Sequence, residues 1–593
     1  MKQTKGRNRN QHCVIQCNDA AGRIRWLEFT EPERIIDVSE PGAVLPALHE
    51  LEQAVVAGYS VAGFLTYEAA SGLDSALQTA APGSLPLLRF GIYRNFTTQD
   101  ALCVPTEPYD VSDWSPSLAG EDYAEAIDTI KDRIARGETY QVNFTLRLRA
   151  TFHGNPAGWF QALHRAQRPR YAAFIEYGDH AICSVSPELF FALDQQDIVC
   201  RPMKGTARRG MTWQEDEACA GRLHHSPKDR AENLMIVDMM RNDLGRIADT
   251  GTVHTEDLFE VERYPTVLQM ASTVRARTSA GFPDILKALF PSCSITGAPK
   301  VRTMEIIEQL EPHPRGIYTG SIGFLTPCHP QTGEPGRFAQ FNVAIRTAHI
   351  RKDRNAVEYG TGGGIVWDSE ADTEYHECRT KALILSEPPH DFSLLETMLW
   401  KPGTEIFLLD AHLQRLEDSA HYFGISFSRS EALHAIRNAT AGLRAQRYRV
   451  RMLVAQDGGI TVESAPIERA RPSWTVAVDD RPVDRSDPFL YHKTTQRAVY
   501  EQARARHPGA NDVLLWNSDG EITESCVANV LLRLDGVWYT PPIASGLLNG
   551  TMRSVLVHRG RVREKVLTKP DLQRAETIAL INSVRGFIDV TLA

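Results

Sequence analysis

No uninterrupted apolar run of about 18 residues occurs in this chain, so no segment reads as a membrane-spanning helix. No long basic run occurs either, and a net charge of -9 argues against nucleic acid or an acidic membrane surface as partner. The start, MKQTKGRNRN, is basic but is followed by no apolar segment, so it is read as neither a secretory signal nor an anchor. Ten cysteines are scattered without the rhythm of a disulfide framework or a metal site, and Cys13 and Cys17 form only a weak pair. A reducing, cytoplasmic setting is therefore expected. Also missing are a P-loop, a dinucleotide-binding glycine fingerprint and a G-x-C-x-G nucleophile turn. Without the last, nothing in the chain reads as a glutamine hydrolase.

What is present is an ordinary globular composition, 42% hydrophobic and 23% charged over 593 residues. That length suits about three to four domain-sized units. The clearest seam is SEPPHD, residues 386–391, where two prolines in a polar stretch stop a helix and disfavour a strand. It is read as a linker between residues 1–385, with a core from about residue 115, and residues 392–593. Mixed strand and helix patterns on both sides make the expected class α+β.

Tyr123, Ile127, Ile130 and Ile134 recur at helical spacing, with Gly137 placed to close the helix. From Tyr140 to Leu148 apolar residues alternate with Gln141, Asn143, Thr145 and Arg147, which predicts a strand. Its polar face either meets solvent or lines a cavity. Residues 228–246, KDRAENLMIVDMMRNDLGR, predict a helix with Ile236 and Met239 inward, Glu232 one turn earlier and Gly245 at the end. In ADTEYHECRTKALIL, also helical, Glu374 and Glu377 share a face. Two readings follow. Glu377 and Lys381 form an ordinary i,i+4 pair, or Glu232, Glu374 and Glu377 converge on a hard cation such as Mg2+, which takes few carboxylates plus water and an anionic substrate.

The glycines of GTGGGIVWDS, residues 360–369, are either a plain turn or an anion nest of converging N–H groups. Arg346, on a strand pattern in FNVAIRT, is suited to clamp a carboxylate. The eleven residues RPMKGTARRGM, 201–211, centre on Lys204 beside a Gly-Thr turn. Lys204 is either a surface lysine in a basic loop with Arg201, Arg208 and Arg209, or a desolvated amine able to act as a nucleophile.

Together GETYQVNFT, SVSPELFF, RPMKGTARRG, AENLMIVDMMRNDLGR, PSCSITGAPK, RGIYTGSIGF, AIRT, GTGGGIVWDS and EYHECRTKA resemble, in family order, the chorismate-utilising enzymes. That family includes anthranilate, aminodeoxychorismate, isochorismate and salicylate synthases, and GYSVAGFLTYEAASGLD extends the likeness toward the N-terminus. The resemblance implies a two-sheet sandwich flanked by helices, Mg2+ held by Glu232 and Glu377 with Glu374 nearby, and chorismate as substrate. Thr206 matches a ligand-contacting threonine, while Arg346, Gly362 and Gly363 are placed for the carboxylates of chorismate. Water-using members carry lysine where this chain has Gln141; a neutral amide cannot deprotonate water, so ammonia is the implied nucleophile. At the position of Lys204, anthranilate synthases typically have alanine and aminodeoxychorismate synthases lysine. The implied chemistry is attack by Lys204 on C2 of chorismate, with Glu188 as general acid for the C4 hydroxyl. Gln269 stands where many members have a histidine linked to later pyruvate loss. The ammonia is expected from a separate glutamine amidotransferase subunit.

After the seam, LLDAHLQRLEDSAHYFG, FLYHKTTQR, NSDGEITESCVANV, TPPIASGLLNGTMR and INSVRG resemble class IV pyridoxal-phosphate enzymes, a group holding amino acid aminotransferases and aminodeoxychorismate lyase. Lys493 falls where the cofactor-linking lysine lies, and Glu524 where a carboxylate bonds the pyridine nitrogen. Arg415, Thr551 and Ser583 match phosphate contacts. Members usually begin with a further strand and loop, so either the first segment supplies that edge or the fold is trimmed. The two resemblances imply amination of chorismate to 4-amino-4-deoxychorismate, then pyridoxal-phosphate-dependent loss of pyruvate to give 4-aminobenzoate. Other readings are an anthranilate synthase component, a synthase joined to an amino acid aminotransferase, and a non-catalytic second half.

Overall fold

The computed structural model describes residues 11–18, 23–104, 107–385, 391–403, 406–444, 446–467 and 473–593. The basic first ten residues and residues 386–390 of the seam lie outside them. Two compact units are formed, one of Met1–Arg208 with Ala220–Pro389, the other of Arg209–Cys219 with His390–Ala593. No helix among the described residues is long and apolar enough to cross a membrane.

The first unit is built on two antiparallel sheets. In one the central order is Gln141–Gly154, Ala356–Ile365, Thr347–Arg351, His180–Ser186, Tyr171–Tyr177 and Gln11–Asn18. In the other it is Met203–Arg208, Val267–Arg277, Asp197–Arg201, Leu189–Asp194, Pro335–Val343, Ser321–Cys328 and Ser60–Leu65. Alternation of apolar residues gives each sheet an inner face. Ile15, Phe29 and Ile175 of the first meet Phe64, Ile322 and Phe324 of the second in one buried core. Helices Val44–Val56, Pro227–Gly245 and Phe282–Leu289 cover the outside of the second sheet, and Pro156–Gln167 covers the first. Cys13 and Cys17, the weak pair of the sequence, are buried on Gln11–Asn18.

Local expectations fare unevenly. Helix Gly120–Ala135 buries Tyr123, Ile127 and Ile130, and Gly137 follows it at φ +73°. Helix Pro227–Gly245 buries Ile236, Val237 and Met240, so its inward face is centred slightly away from Met239. The strand with a polar face is Gln141–Gly154, and it is buried on both faces from Gln141 to Arg147.

The largest local difference is at the glycines of residues 360–364. They form neither a turn nor a nest but lie in strand Ala356–Ile365, paired Gly362 to Thr145, Gly363 to Phe144 and Gly364 to Asn143. The ladder engages only alternate residues here: Thr145 and Asn143 send their N–H groups to Glu311 and Thr296, so Gly362 and Gly364 sit in non-hydrogen-bonded pairs with them. Arg346 also departs from its expected strand. It sits in the connection between Pro335–Val343 and Thr347–Arg351 with φ at +51°.

The second unit has a three-stranded sheet, Leu394–Trp400, Tyr448–Val454 and Ile460–Pro466, and a larger mixed sheet. In the larger one Trp474–Val478 pairs in parallel with both Asp512–Trp516 and Gly586–Leu592. From the earlier part of the chain this unit gains Arg209–Cys219, which contains no strand.

Candidate active sites

Lys204 lies on Met203–Arg208, whose pairing with Val267–Arg277 slips between Met203 opposite Ala271 and Thr206 opposite Gln269. Lys204 and Gly205 together face Met270 alone, a β-bulge, and bulges re-aim side chains. Gly205 takes φ +101°, a conformation side-chain-bearing residues rarely adopt. The "Gly-Thr turn" of the sequence is thus a bulge inside a strand. It directs Lys204 into a cavity of about 250 Å3, which Glu188, Thr206, Glu232, Arg346, Gly362, Gly363, Glu374 and Glu377 also line.

Burial lowers the pKa of the Lys204 amine, with the carboxylate of Glu232 opposing. Glu188, buried just after strand His180–Ser186, is pushed up to about 7 by burial, against a hydrogen bond from Ser294. Ser294 Oγ donates to Glu188 Oε1 at 2.6 Å. A buried carboxyl able to hold a proton therefore shares a cavity with an amine able to lose one. Arg346 is 8% exposed, and its Nη1 has no hydrogen-bond partner in the protein. Buried guanidinium nitrogens are rarely left so, and an anion in the cavity would satisfy this one.

Gln141 does not line the cavity; its amide lies next to Lys204, on the same face of Gly364. A Cβ at Gly364 would meet Lys204 Nζ at 2.1 Å and Gln141 Nε2 at 2.7 Å. Both amide atoms of Gln141 are buried without a partner. Gln269 accepts from Thr206 Oγ1 at 3.4 Å.

The three glutamates share the cavity, but no three His, Cys, Asp or Glu side chains among the described residues are gathered as a metal-holding group. Glu377 pairs with Lys381 at 2.7 Å, and Lys381 also donates to the Gly362 carbonyl at 2.8 Å. The i,i+4 pair is thus formed, but at the cavity rather than in open solvent. Lys381 holds the Glu377 carboxyl below its usual range, whereas burial raises that of Glu374, which accepts from Ser369 at 2.7 Å. As a donor set, carboxylates facing a cavity with an anion-seeking arginine fit a hard cation that also binds substrate oxygens.

In the second unit Lys493 is half-buried, and desolvation lowers its amine to about 8, with Arg415 adding to the effect. Glu396 and Glu524 oppose it, which places both carboxylates and Arg415 around one amine. Burial raises Glu524 to about 7, and Tyr500 donates to its Oε1 at 2.8 Å. Arg415 forks onto Glu396, Nε to Oε1 at 2.9 Å and Nη2 to Oε2 at 2.8 Å. Thr551 begins helix Thr551–His558, with Oγ1 3.4 Å from His412 Nε2, and Ser583 is buried after strand Thr577–Asn582. A desolvated lysine beside a buried carboxyl and an arginine is a donor set that fits an aldehyde cofactor carrying a ring nitrogen and a phosphate.

Four residues here had no role in the sequence reading. Ser294 sits in PSCSITGAPK and Glu396 in an apolar strand, while His412 and Tyr500 each occupy one face of a helix. Glu396 is fully buried, and His412 Nδ1 lies 2.6 Å from its Oε2. A single charged residue in a run such as LLETMLW is the available signal, since a carboxylate is rarely buried unless paired.

Residues 102–387 match the family described as chorismate binding enzyme, and residues 393–593 that described as amino-transferase class IV. Over 268 residues the chain is 44% identical to aminodeoxychorismate synthase component 1 of Klebsiella aerogenes, covering 45% of this chain and 57% of that protein. Over 284 residues it is 37% identical to anthranilate synthase component 1 of Aquifex aeolicus, covering 48% and 55% respectively. The solved anthranilate synthase component I from Streptococcus pneumoniae has a TM-score of 0.51 at 24% identity, covering 65% of this chain and 94% of that one; this is a likeness of fold. The chain spans less than two thirds of the length of the sequence relatives it matches.

Proposed function

We propose, for a chain whose residues 102–387 match the chorismate binding enzymes and whose residues 393–593 match the class IV amino-transferases, that its two regions make 4-aminobenzoate from chorismate in consecutive steps. The observation that carries the first step is the placement of Lys204, Glu188 and the unpartnered Arg346 Nη1 around one cavity. Relatives of both the aminodeoxychorismate and anthranilate kinds match this region, so the discriminating residue is Lys204 itself.

In this reading Arg346 takes a carboxylate of chorismate. The neutral Lys204 amine bonds to C2, both ring double bonds shift by one position, and the C4 hydroxyl leaves as water with the proton of Glu188. Ammonia then bonds to C4, both double bonds return, Lys204 departs as the free amine, and the new C4 ammonium gives a proton back to Glu188. The balance is chorismate plus ammonia giving 4-amino-4-deoxychorismate plus water. Glu232 and Glu377, with Glu374, would hold Mg2+, which supplies positive charge for the substrate carboxylates. A separate glutamine amidotransferase subunit supplies the ammonia, a partnership supported by relatives named as component 1 of aminodeoxychorismate synthase.

In the second step Arg415, Thr551 and Ser583 would bind the phosphate of pyridoxal phosphate, Glu524 its ring nitrogen, and Lys493 its aldehyde. When bound, the cofactor supplies an electron sink next to the substrate amine. Lys493, with an amine lowered to about 8, takes the proton from C4 of the aminated ring. The enolpyruvyl group leaves as pyruvate, and aromatisation supplies the driving force. The division into a synthase region ending at residue 385 and a lyase region from residue 392, in a reducing cytoplasm, belongs to the same reading.

Paired variants test it. With chorismate, magnesium, ammonium and pyridoxal phosphate, Lys204→Ala should abolish amination, while Lys493→Ala should accumulate 4-amino-4-deoxychorismate. Amination surviving in Lys204→Ala would sink the covalent route. 4-Aminobenzoate formed at an undiminished rate by Lys493→Ala would sink the second step.

A further inference from the structure

The stretch that carries Lys204 crosses from one unit to the other. Its strand ends at Arg208, and Arg209–Cys219 belong to the second unit. Within that unit the segment is firmly held. Arg209 forks onto the fully buried Asp216, Nε to Oδ1 at 2.6 Å and Nη2 to Oδ2 at 3.0 Å. The same Nη2 donates to the Tyr422 carbonyl at 2.8 Å, and the guanidinium lies 4.4 Å from the Tyr422 ring centre. Gln214 donates to Asp418 at 2.8 Å. Met211 packs against the core of Leu490, Tyr491 and Tyr500.

These contacts converge on His492, the residue before Lys493. His492 Nε2 is 3.1 Å from the Met211 carbonyl oxygen, and Nδ1 is 2.9 Å from Ser419 Oγ. A carbonyl only accepts, so Nε2 carries the proton and Nδ1 accepts from the serine hydroxyl. Burial favours this neutral form by pushing the imidazole down to about 3. The ring also stacks on Tyr422, centres 4.2 Å apart at 29°. After Lys493 the chain is fixed independently: Leu395 N donates to the Lys493 carbonyl at 2.9 Å, and Thr494 bridges to Leu394. The backbone of Lys493 is therefore gripped from both sides, and one grip is supplied by Arg209–Met211.

We propose that His492 is a positioning residue for Lys493, and that Arg209–Cys219, continuous with the strand of Lys204, sets it. This rests on the reading of Lys493 as the lysine that binds pyridoxal phosphate. His492 acts through the backbone, not by touching substrate. The class IV region is then not a self-sufficient module: residues inside the chorismate-binding match aim its lysine.

The test uses the full chain titrated with pyridoxal phosphate and compares His492→Phe, His492→Gln and Arg209→Ala with the unmutated protein. Phenylalanine keeps a stacked ring but can neither donate to Met211 nor accept from Ser419; glutamine keeps an Nε2 donor. His492→Phe and Arg209→Ala should each weaken cofactor binding by about tenfold and move the pH midpoint of the Lys493-linked absorption band. His492→Gln should recover most of both, and ammonia-dependent amination should be unchanged throughout. If Arg209→Ala does not fold, the phenylalanine and glutamine pair decides. Affinity and midpoint unchanged in His492→Phe, or a glutamine variant no better than phenylalanine, overturns the proposal. An unmutated chain that shows no such band overturns the reading of Lys493, and the proposal with it.

Discussion

A side chain on Gly364 would place its Cβ 2.1 Å from the Nζ of Lys204. The stretch that sequence inspection reads as a plain turn or an anion nest is thus a strand, bare at Gly364 so that an amine can lie against it. Gly364→Ala should displace that amine by about an ångström and lower amination on the order of 10²-fold. Cofactor binding by the second unit should be unaffected. Steady-state kinetics with ammonium checks this, and a normal rate would show that Lys204 does not work from this position.

Arg346 offers an unsatisfied, buried Nη1 to the cavity. Arg346→Gln should raise KM for chorismate roughly 10- to 100-fold, the range for losing a hydrogen bond between charged groups. An unchanged KM would remove the carboxylate clamp from the mechanism.

The pH dependence follows from Glu188, raised by burial to about 7. As general acid it must be protonated, so amination should fall as pH rises through about 7. Ser294 donates to the charged form and holds this pKa down. Ser294→Ala should therefore move the alkaline limb of kcat/KM upward, by about one pH unit. A limb that stays or moves downward would assign it to another group.

Glu396 tests the second unit through stability. Burial alone would raise its pKa, but Arg415 and His412 hold it at about 2. A depressed carboxylate contributes stability that is present above its ordinary range and lost as pH falls through about 2. Glu396→Gln leaves Arg415 without its counter-charge and should cost about 3–5 kcal/mol, measured by denaturant unfolding at neutral pH. It should also flatten the acid loss between the ordinary carboxylate range and pH 2. A cost under about 1 kcal/mol would make the pair an exposed one.

Much of the site was legible because its residues sit in ordered motifs with local patterns. Lys204, Glu188, Thr206, Arg346, Gly362 and Gly363 and the three glutamates all face one cavity. What was not legible depends on pairing and distance along the chain. Whether residues 360–364 turn or extend is decided by a partner strand some 200 positions away, not by the glycines. Ser294 finds Glu188 across 106 residues, and no periodicity announces it. RPMKGTARRGM reads as one loop, yet its first part is strand and bulge in one unit and its last three residues belong to the other. Tertiary contacts alone made that division, just as they chose burial for the polar face of Gln141–Gly154.

The most direct measurement is the identity of the aromatic product. The purified chain is supplied with chorismate, magnesium, ammonium and pyridoxal phosphate, and the products are resolved by chromatography and mass. The expected result is 4-aminobenzoate with one equivalent of pyruvate. Anthranilate as the product would contradict the role given to Lys204.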